Sequence, residues 1–301
     1  MKYNQDRKLG KTGPDICPIG FGAMSLTNFY GPCNDMQADK ILNKVLDLGI
    51  NHIDTSNVYG AGTSESRIGE FLAKQGKQKN NLFFIATKAA ICRDPETGVR
   101  SFNNTERHLE EELDKSLVRL GIDSIDLFYI HRRDPKIPIE EVTESLVKFI
   151  KKGKIKSIGF SEIAPTSLKR ASKIHHIAAV QSEYSLSTRS PEMGLVQECK
   201  NLGTALVAFS PVGRSFLTDS PLSYDVVKEL DFTKNNLHVV GYSTPVNQEM
   251  SLEELDNHLH SLPEQPDAIP YVTSYYKKNW GFCLQHEQRK NLKGNLDFLK
   301  V

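Results

Sequence analysis

The amino-acid sequence predicts an α/β fold of the (β/α)8 TIM-barrel class, in which the eighth strand and helix unit is degenerate or atypical. Short apolar segments rich in Ile, Val and Phe alternate with longer charged segments of helical period. The short segments lack a polar face, which is typical of parallel strands covered by helices. No G-x-G-x-x-G turn follows an early strand, although an open doubly wound sheet normally has one. These observations favour a closed barrel.

The predicted elements alternate along the chain. The strands are 16–24, 50–56, 81–88, 125–132, 154–162, 178–185 and 204–211. The helices are 36–49, 64–77, 104–121, 138–154, 164–175 and 190–203. A hydroxyl of Thr63 or Ser64 is expected to cap the second helix. Glycines stand where five of the helices should end, namely Gly49, Gly76, Gly121, Gly153 and Gly203.

Two segments compete for the eighth strand. They are LHVVGYST (237–244) and DAIPYVTS (267–274). A barrel that lacked its last strand would leave a sheet edge unpaired, which costs stability. No linker, low-complexity tract or strict internal repeat divides the chain, so we expect residues 1–301 to form a single domain.

Composition excludes several classes of partner. Lys and Arg total 38 against 37 for Asp and Glu, a net charge of +1, so no basic field for nucleic acid is expected. The five cysteines are widely spaced without a C-x-x-C pair, which indicates reduced thiols and no metal site. The polar first residues and the absence of an apolar run of about 20 residues predict a cytoplasmic protein without membrane association. The sequence leaves the oligomeric state open.

Polar residues lie at the predicted C-terminal ends of the strands, where barrel enzymes place their active sites. They are Asp54 with Tyr59, Lys88, His131, Ser161 with Glu162, Gln181 and Ser210. Each alone has an ordinary structural reading. A strand-end aspartate is most often a turn or helix cap, a lysine can extend from a rim, and a histidine can be a hydrogen-bonded core residue.

Together, four of these residues would make an acid catalyst. A lysine ammonium beside Tyr59 favours the phenolate and lowers the phenol pKa from its usual value of about 10. Asp54 would keep Lys88 charged, and His131 would orient a carbonyl oxygen beside the tyrosine hydroxyl. Such a group gives a proton to an oxygen that is becoming an alkoxide. Hydride delivery to a carbonyl carbon produces that alkoxide, so the barrel would also hold a hydride carrier.

The order Asp, Tyr, Lys, His in the contexts NHIDTSNVYG, FIATK and DLFYIHR resembles the aldo-keto reductase family. Its microbial and plant branch of small-aldehyde reductases is the most similar. Further agreement comes from RKLGKTGPDICPIGFGAM, GKIKSIGFSE, VQSEYSL and FSPVGRSFLT, which resemble the family's N-terminal hairpin and first strand, fifth strand, sixth strand, and seventh strand with its phosphate loop. The resemblance extends from about residue 7 to residue 218.

The resemblance implies Tyr59 as general acid, tuned by Lys88 and Asp54, with His131 positioning a small carbonyl substrate. It implies NADP(H) as cofactor, bound at the nicotinamide carboxamide by Ser161 and Gln181. Glu162 stands where many relatives have Asn, and Phe209 would stack on the nicotinamide in a place often held by Tyr. The remaining implied cofactor residues are Gly22, Ala23, Met24, and the pyrophosphate loop Ser210, Pro211, Val212, Gly213 and Arg214. The implied substrate pocket includes Phe29, Tyr30 and Arg132, with Met24 beside them.

Two functions follow from the resemblance. The first is an NADP-dependent aldo-keto reductase of the alcohol dehydrogenase (NADP+) type, which reduces aldehydes or ketones. The alternative is a weak or inactive nucleotide-binding regulatory relative, similar to potassium-channel β-subunits. After about residue 220 the family's IPIPG strand and Arg…Glu-Asn helix start are missing, which favours the alternative. Lys277, Lys278 and Asn279 could replace the grip on the adenosine phosphate. The complete set of Tyr59, Lys88 and His131 favours the enzyme.

Overall fold

The computed structural model describes residues 6–76, 81–94, 96–213 and 217, together with the backbone of residues 280–284. A small antiparallel hairpin comes first, formed by β1 (Arg7–Lys8) and β2 (Asp15–Ile16). The barrel strands are β3 (Ile19–Gly22), β4 (His52–Asp54), β5 (Phe84–Ala89), β8 (Leu127–Ile130), β9 (Ile158–Ser161), β10 (Ala179–Glu183), β11 (Ala205–Phe209) and β12 (Trp280–Leu284). A second hairpin, β6 (Ile91–Arg93) with β7 (Arg100–Phe102), directly follows β5.

The eight barrel strands are parallel and hydrogen-bonded in the closed order β3-β4-β5-β8-β9-β10-β11-β12. Helices connect the strands of this sheet: α1 (Asp35–Asp47), α2 (Thr63–Ala73), α3 (Glu106–Leu120), α4 (Ile139–Lys151), α5 (Pro165–Ser172) and α6 (Leu195–Leu202). A 3-10 turn (Ser190–Met193) precedes α6, so the single predicted helix 190–203 is divided in two. None of the helices in the described segments combines the length and the apolar character that a membrane crossing needs.

The predicted barrel is confirmed, but its closing strand is not one that the sequence predicts. Both predicted candidates, 237–244 and 267–274, lie outside the described residues. The barrel is closed by β12, which pairs with β11 on one side and with β3 on the other. The sequence signal there is weak because WGFCL is short and contains a glycine. Closure leaves no barrel edge unpaired.

The helix boundaries confirm the predicted stops and correct one predicted cap. All five glycines at the predicted helix ends adopt positive φ angles. Helices often end in this left-handed conformation, which glycine adopts more easily than other residues. Helix α2, however, begins at Thr63 after Gly62, and no side chain caps it. The Thr63 hydroxyl donates to the carbonyl of Gly60, and the Ser64 hydroxyl bonds to the Ala23 carbonyl and to the Thr55 hydroxyl. Ser64 therefore ties α2 to the barrel.

The apolar part of the barrel interior is filled by alanines and larger aliphatic side chains around one large ring. Its buried side chains are Ala86, Leu127, Tyr129, Ala178, Ala179, Ala205 and Val207, together with Leu9 and Ile16 of the first hairpin. The hairpin closes the N-terminal end, where the Lys11 N–H donates to the Gly203 carbonyl. Tyr129 lies against Gly159, and a Cβ at that position would be only 2.4 Å from the ring. Glycine is therefore required there.

His52 is a buried polar residue at the start of β4. It shares a strand face with Asp54, and its ring packs edge-to-face against Phe84 with centroids 5.5 Å apart. Neither ring nitrogen has a hydrogen-bond partner within the described ranges. Burial is the main cause that lowers the pKa of His52 to about 4, while the charge of Asp54 opposes it. The imidazole is consequently neutral at neutral pH.

This histidine should make the fold sensitive to acid. The pKa of His52 is lower in the folded state than the usual 6.5, so protonation favours the unfolded chain. The free energy of unfolding is therefore unaffected by protonation of His52 above pH 6.5 and falls as the pH decreases from 6.5 towards 4. We expect His52→Leu to remove a pH-dependent loss on the order of 3 kcal/mol in the free energy of unfolding. Chemical denaturation across this pH range checks it. His175→Gln serves as control, and an unchanged slope in His52→Leu would contradict the assignment.

Candidate active site

A buried ion pair lies at the C-terminal end of the barrel. Lys88, near the end of β5, is inaccessible to solvent, and its ammonium donates to the Asp54 carboxylate at the end of β4. The same ammonium donates to the carbonyl of Thr55 at 2.9 Å and to the hydroxyl of Tyr59 at 3.3 Å. Adjacent strands in register explain the contact, because Asp54 pairs with Ala86, two residues before the lysine. The predicted Asp, Lys and Tyr are thus brought together.

The fourth predicted catalytic residue, His131, directly follows β8 and lies beside the tyrosine. Its ring centroid is 5.9 Å from that of Tyr59, in an edge-to-face arrangement. Its Nδ1 is 3.1 Å from the Ser56 hydroxyl. Burial is the main cause that lowers the pKa of His131 well below its usual range, and the charge of Lys88 adds to this effect. A neutral imidazole therefore faces the tyrosine at neutral pH.

Two predicted cofactor residues lie on the neighbouring strands in direct register. Ser161 ends β9 and pairs with Gln181 of β10. The Gln181 amide donates to the second carboxylate oxygen of Asp54 at 2.7 Å. Ser161 accepts a hydrogen bond from the guanidinium of Arg132 at 3.0 Å. Both side chains keep polar atoms that these two bonds do not use, namely the Gln181 carbonyl oxygen and the Ser161 hydroxyl hydrogen.

Glu162 follows Ser161 with a left-handed backbone, at φ +53°. The residue is exposed at the rim, and its carboxylate accepts the backbone N–H of Glu183 at 2.6 Å. Partial burial of the carboxylate among the strand ends raises the pKa of Glu162, while this hydrogen bond and the charge of Arg132 oppose the rise. A carboxylate accepts hydrogen bonds but, unlike the amide of an asparagine, donates none when ionised.

The loop after β11 begins with Phe209, the last residue of that strand. Ser210 has φ +50°, uncommon outside glycine, and Gly213 has φ +56°. The Gly213 N–H donates to the Ser210 carbonyl at 2.9 Å, so Pro211 and Val212 form the centre of a tight turn. Arg214, the predicted cation of this loop, lies outside the described residues.

The predicted residue Gly22 ends β3, and Ala23 and Met24 begin the 3-10 turn Ala23–Leu26. A second 3-10 turn, Asn28–Tyr30, carries Phe29 and Tyr30. The two aromatic rings meet edge-to-face with centroids 4.9 Å apart. The preceding residue Thr27 touches the loop of Tyr59, since a Cβ at Gly60 would be 2.9 Å from the threonine methyl. This contact places the predicted pocket segment beside the predicted acid.

A model of the Aldo/keto reductase family matches residues 18–300. The chain belongs to this family. Similar proteins are the NADP(+) aldo-keto reductase yakc of Schizosaccharomyces pombe, 40% identical over 74% of this chain, and probable aldo-keto reductase 1 of Glycine max, 37% identical over 70%. Aldo-keto reductase str7 of Strobilurus tenacellus is 37% identical over 76% of the chain. The matches span 66%, 60% and 67% of these relatives, respectively.

Solved structures of the same class share the fold. Aldo-keto reductase AKR11C1 from Bacillus halodurans, in its holo form, aligns with a TM-score of 0.73 at 24% identity, covering 99% of this chain and 91% of that one. The glycerol dehydrogenase AKR11B4 from Gluconobacter oxydans aligns with a TM-score of 0.70 at 23% identity, covering 95% and 87%. At these identities the likeness establishes the aldo/keto reductase barrel alone.

One polar cluster of this family member is not predicted from its sequence. Glu65 in the first turn of α2 is fully buried and accepts from the hydroxyl of Thr87, the neighbour of Lys88, at 2.5 Å. Its other oxygen accepts from Arg119 of α3 at 2.7 Å. The cluster fixes α2 and α3 against β5. The sequence does contain a sign that Glu65 is buried. Its spacing from Ile68 and Leu72 places its carboxylate on the buried face of the helix.

Removal of the aspartate should reveal the energetics of the buried ion pair. Asp54→Asn leaves the Lys88 ammonium buried without a counter-ion, so we expect the free energy of unfolding to fall by roughly 3 kcal/mol or more. Asp54→Asn combined with Lys88→Met should recover part of that loss. The measurement is a double-mutant cycle by chemical denaturation. The exposed Arg107–Glu111 pair is the control, with an expected coupling near zero, and equal couplings for the two pairs would contradict the buried-pair account.

Proposed function

We propose that this protein reduces the carbonyl group of a small aldehyde or ketone to an alcohol, with NADP(H) as the nucleotide cofactor. The observation that carries the proposal is the convergence of a buried ammonium, a phenol and a neutral imidazole at the mouth of the barrel. A purely structural role gives no reason to bury Lys88 where its charge reaches the oxygen of Tyr59.

In this proposal Tyr59 gives its proton to the oxygen of the former carbonyl. The Lys88 ammonium already donates a hydrogen bond to the tyrosine oxygen at 3.3 Å, so it stabilises the phenolate left behind. Asp54 keeps the ammonium charged, because a buried amine without a counter-ion tends to lose its proton. Gln181 holds the second aspartate oxygen and so fixes the direction of the carboxylate.

His131 orients the substrate carbonyl as a neutral hydrogen-bond donor. For Nε2 to carry the proton, Nδ1 must accept a hydrogen bond, and the Ser56 hydroxyl 3.1 Å away can donate it. Ser56 Oγ also lies 3.3 Å from the carbonyl of Lys88, which competes for the same hydroxyl hydrogen. Within this mechanism, donation to His131 selects the tautomer that binds a carbonyl oxygen.

The residues that would hold the nicotinamide end of NADP(H) suit its chemistry. Ser161 and Gln181 retain a donor and an acceptor for a carboxamide, and Phe209 offers a ring face on which an aromatic ring can stack. In the turn Ser210–Gly213 the Gly213 N–H is used within the turn and Pro211 has none, so the Val212 N–H is a candidate donor to a pyrophosphate. Gly22 ends β3, which is separated from β11 by β12 alone. When bound, the cofactor supplies the hydride that reaches the carbonyl carbon. The name of the fission-yeast relative specifies NADP(+), which supports this choice.

The regulatory alternative has less support. No observation on the described residues favours a channel-subunit role over catalysis, and the relatives compared above are named as reductases or a dehydrogenase. The residues that would grip the adenosine phosphate, including Lys277, Lys278 and Asn279, lie outside the described ranges. The preference for NADPH over NADH therefore rests on the family and on the named relative.

Replacement of the tyrosine tests the proton donor. Tyr59→Phe keeps the ring but removes the hydroxyl, so carbonyl reduction should fall roughly 10²-fold or more while NADPH binding stays nearly unchanged. Turnover with a small panel of aldehydes and nucleotide fluorescence provide the two measurements. Tyr184→Phe is the matched control, since its hydroxyl bonds to Glu192 rather than to the site. Unchanged turnover in Tyr59→Phe would remove the assigned role.

A nucleotide titration tests the cofactor. NADPH should bind in the micromolar range, as measured by its fluorescence with the purified protein. Phe209→Leu should weaken binding several-fold, because aromatic stacking contributes roughly 0.5–1.5 kcal/mol beyond buried area, whereas Phe209→Tyr should preserve it. Failure of folded protein to bind NADPH at millimolar concentration would contradict the enzyme proposal and favour the regulatory alternative.

A further inference from the structure

Three arginines surround the histidine side of the barrel mouth, and we refer to Arg93, Arg100 and Arg132 as the mouth arginines. Arg93 and Arg100 face each other across the β6–β7 hairpin, which continues directly from β5. Arg132 follows His131, and its guanidinium donates to the His131 carbonyl at 2.7 Å. Asn104, two residues after the hairpin, donates to the Arg132 carbonyl at 3.0 Å. The hairpin is thus anchored to the segment that carries His131.

The mouth arginines concentrate positive charge with little compensation. In the described part of the chain, no carboxylate forms an ion pair with any of the three. The nearby Asp94 carboxylate is engaged by its own turn, where the N–H groups of Glu96 and Thr97 and the Thr97 hydroxyl donate to it. The carboxylate of Glu162 and the guanidinium of Arg132 attract each other electrostatically but do not form an ion pair.

The charges of this cluster reach one another and the proposed catalytic histidine. Arg93 and Arg100 are exposed residues. Partial desolvation of the guanidinium lowers the pKa of Arg100, and repulsion by Arg93 and Arg132 adds to this effect. The charges of Arg132 and Arg100 also contribute, after burial and Lys88, to the lowered pKa of His131. Like charges that act on one another are unfavourable in the free protein, and a bound anion would relieve this repulsion.

We infer that the mouth arginines bind an anionic group of the substrate, so that the preferred substrates are aldehydes or ketones that also carry a carboxylate or a phosphate. This inference rests on the proposed carbonyl reduction and names the substrate class for that site. Guanidinium groups bind both kinds of oxyanion through paired hydrogen bonds. Arg132 borders the proposed cofactor site, because its guanidinium donates to the Ser161 hydroxyl at 3.0 Å. Arg93 and Arg100 lie on the hairpin after β5, and β5 is separated from β9 by β8 in the barrel.

The test compares pairs of aldehydes in which one member carries an anionic group and the other is neutral. Succinate semialdehyde has a carboxylate in place of the terminal methyl group of butanal, and glyceraldehyde phosphate is the phosphate ester of glyceraldehyde. We expect kcat/KM to be at least roughly tenfold higher for the charged member of one or both pairs. The pair with the larger ratio identifies carboxylate or phosphate as the better anion. Added salt should raise the KM of the charged aldehyde and leave that of the neutral one unchanged.

Variants of the hairpin arginines assign the effect to residues. Arg100→Gln and Arg93→Gln should each raise the KM for the charged aldehyde roughly tenfold, with kcat and the KM for the neutral aldehyde within about twofold of the unmodified protein. Arg100→Lys should recover part of the loss because it keeps the charge. Arg170→Gln is the control, since this exposed arginine of α5 pairs with Glu140 away from the mouth.

The outcomes separate this inference from the proposed function. Equal kcat/KM for charged and neutral aldehydes, with no effect of Arg93→Gln or Arg100→Gln, overturns the anion site and leaves carbonyl reduction standing. Weaker NADPH binding in these variants, with no change in the KM of the aldehyde, reassigns the arginines to the cofactor and also overturns it. Absence of any NADPH oxidation with all four aldehydes overturns the reductase proposal and the anion site together.

Discussion

The buried ammonium of Lys88 is the constraint on which the site depends. Moving an unpaired charge from water into the interior of a barrel costs several kcal/mol of desolvation free energy. The groups around Lys88 compensate for this cost. Asp54 provides the opposite charge, and the Thr55 carbonyl and Tyr59 hydroxyl accept the remaining hydrogens. The compensation needs β4 and β5 in one register, so the closed sheet and the chemistry of the site cannot be separated.

The same charge organises residues on other strands. Gln181 of β10 reaches the free oxygen of Asp54, and Tyr129 of β8 places its ring 5.8 Å from the ammonium. That ring fits because the facing residue of β9 is Gly159. The neutral state of His131 also depends partly on the charge of Lys88. Residues from separate segments of the chain are therefore positioned or electrostatically influenced by the Lys88–Asp54 ion pair.

Much of the fold was predictable because buried parallel strands and amphipathic helices leave strong local patterns. All seven predicted strands exist, and each is a few residues shorter than predicted, although β5 ends one residue later, at Ala89. Strand ends continue into loops without a change in hydrophobicity, so their bounds are hard to predict from the sequence. The closing strand β12 was not predicted because WGFCL is short and its pairing depends on two distant strands. The predicted cap of α2 was wrong because the Ser64 hydroxyl bonds to the barrel instead of to its own helix.

The sequence by itself determined which chemical groups stand at the strand ends and in what order, because strand boundaries and residue types are local properties. Only the tertiary structure decided which of them touch. Gln181 and Asp54 bond across 127 positions of sequence, and Glu65 accepts hydrogen bonds from both Thr87 and Arg119. Arg132 and Arg100 both influence the charge state of His131. Such contacts depend on register and barrel closure, which no single segment encodes.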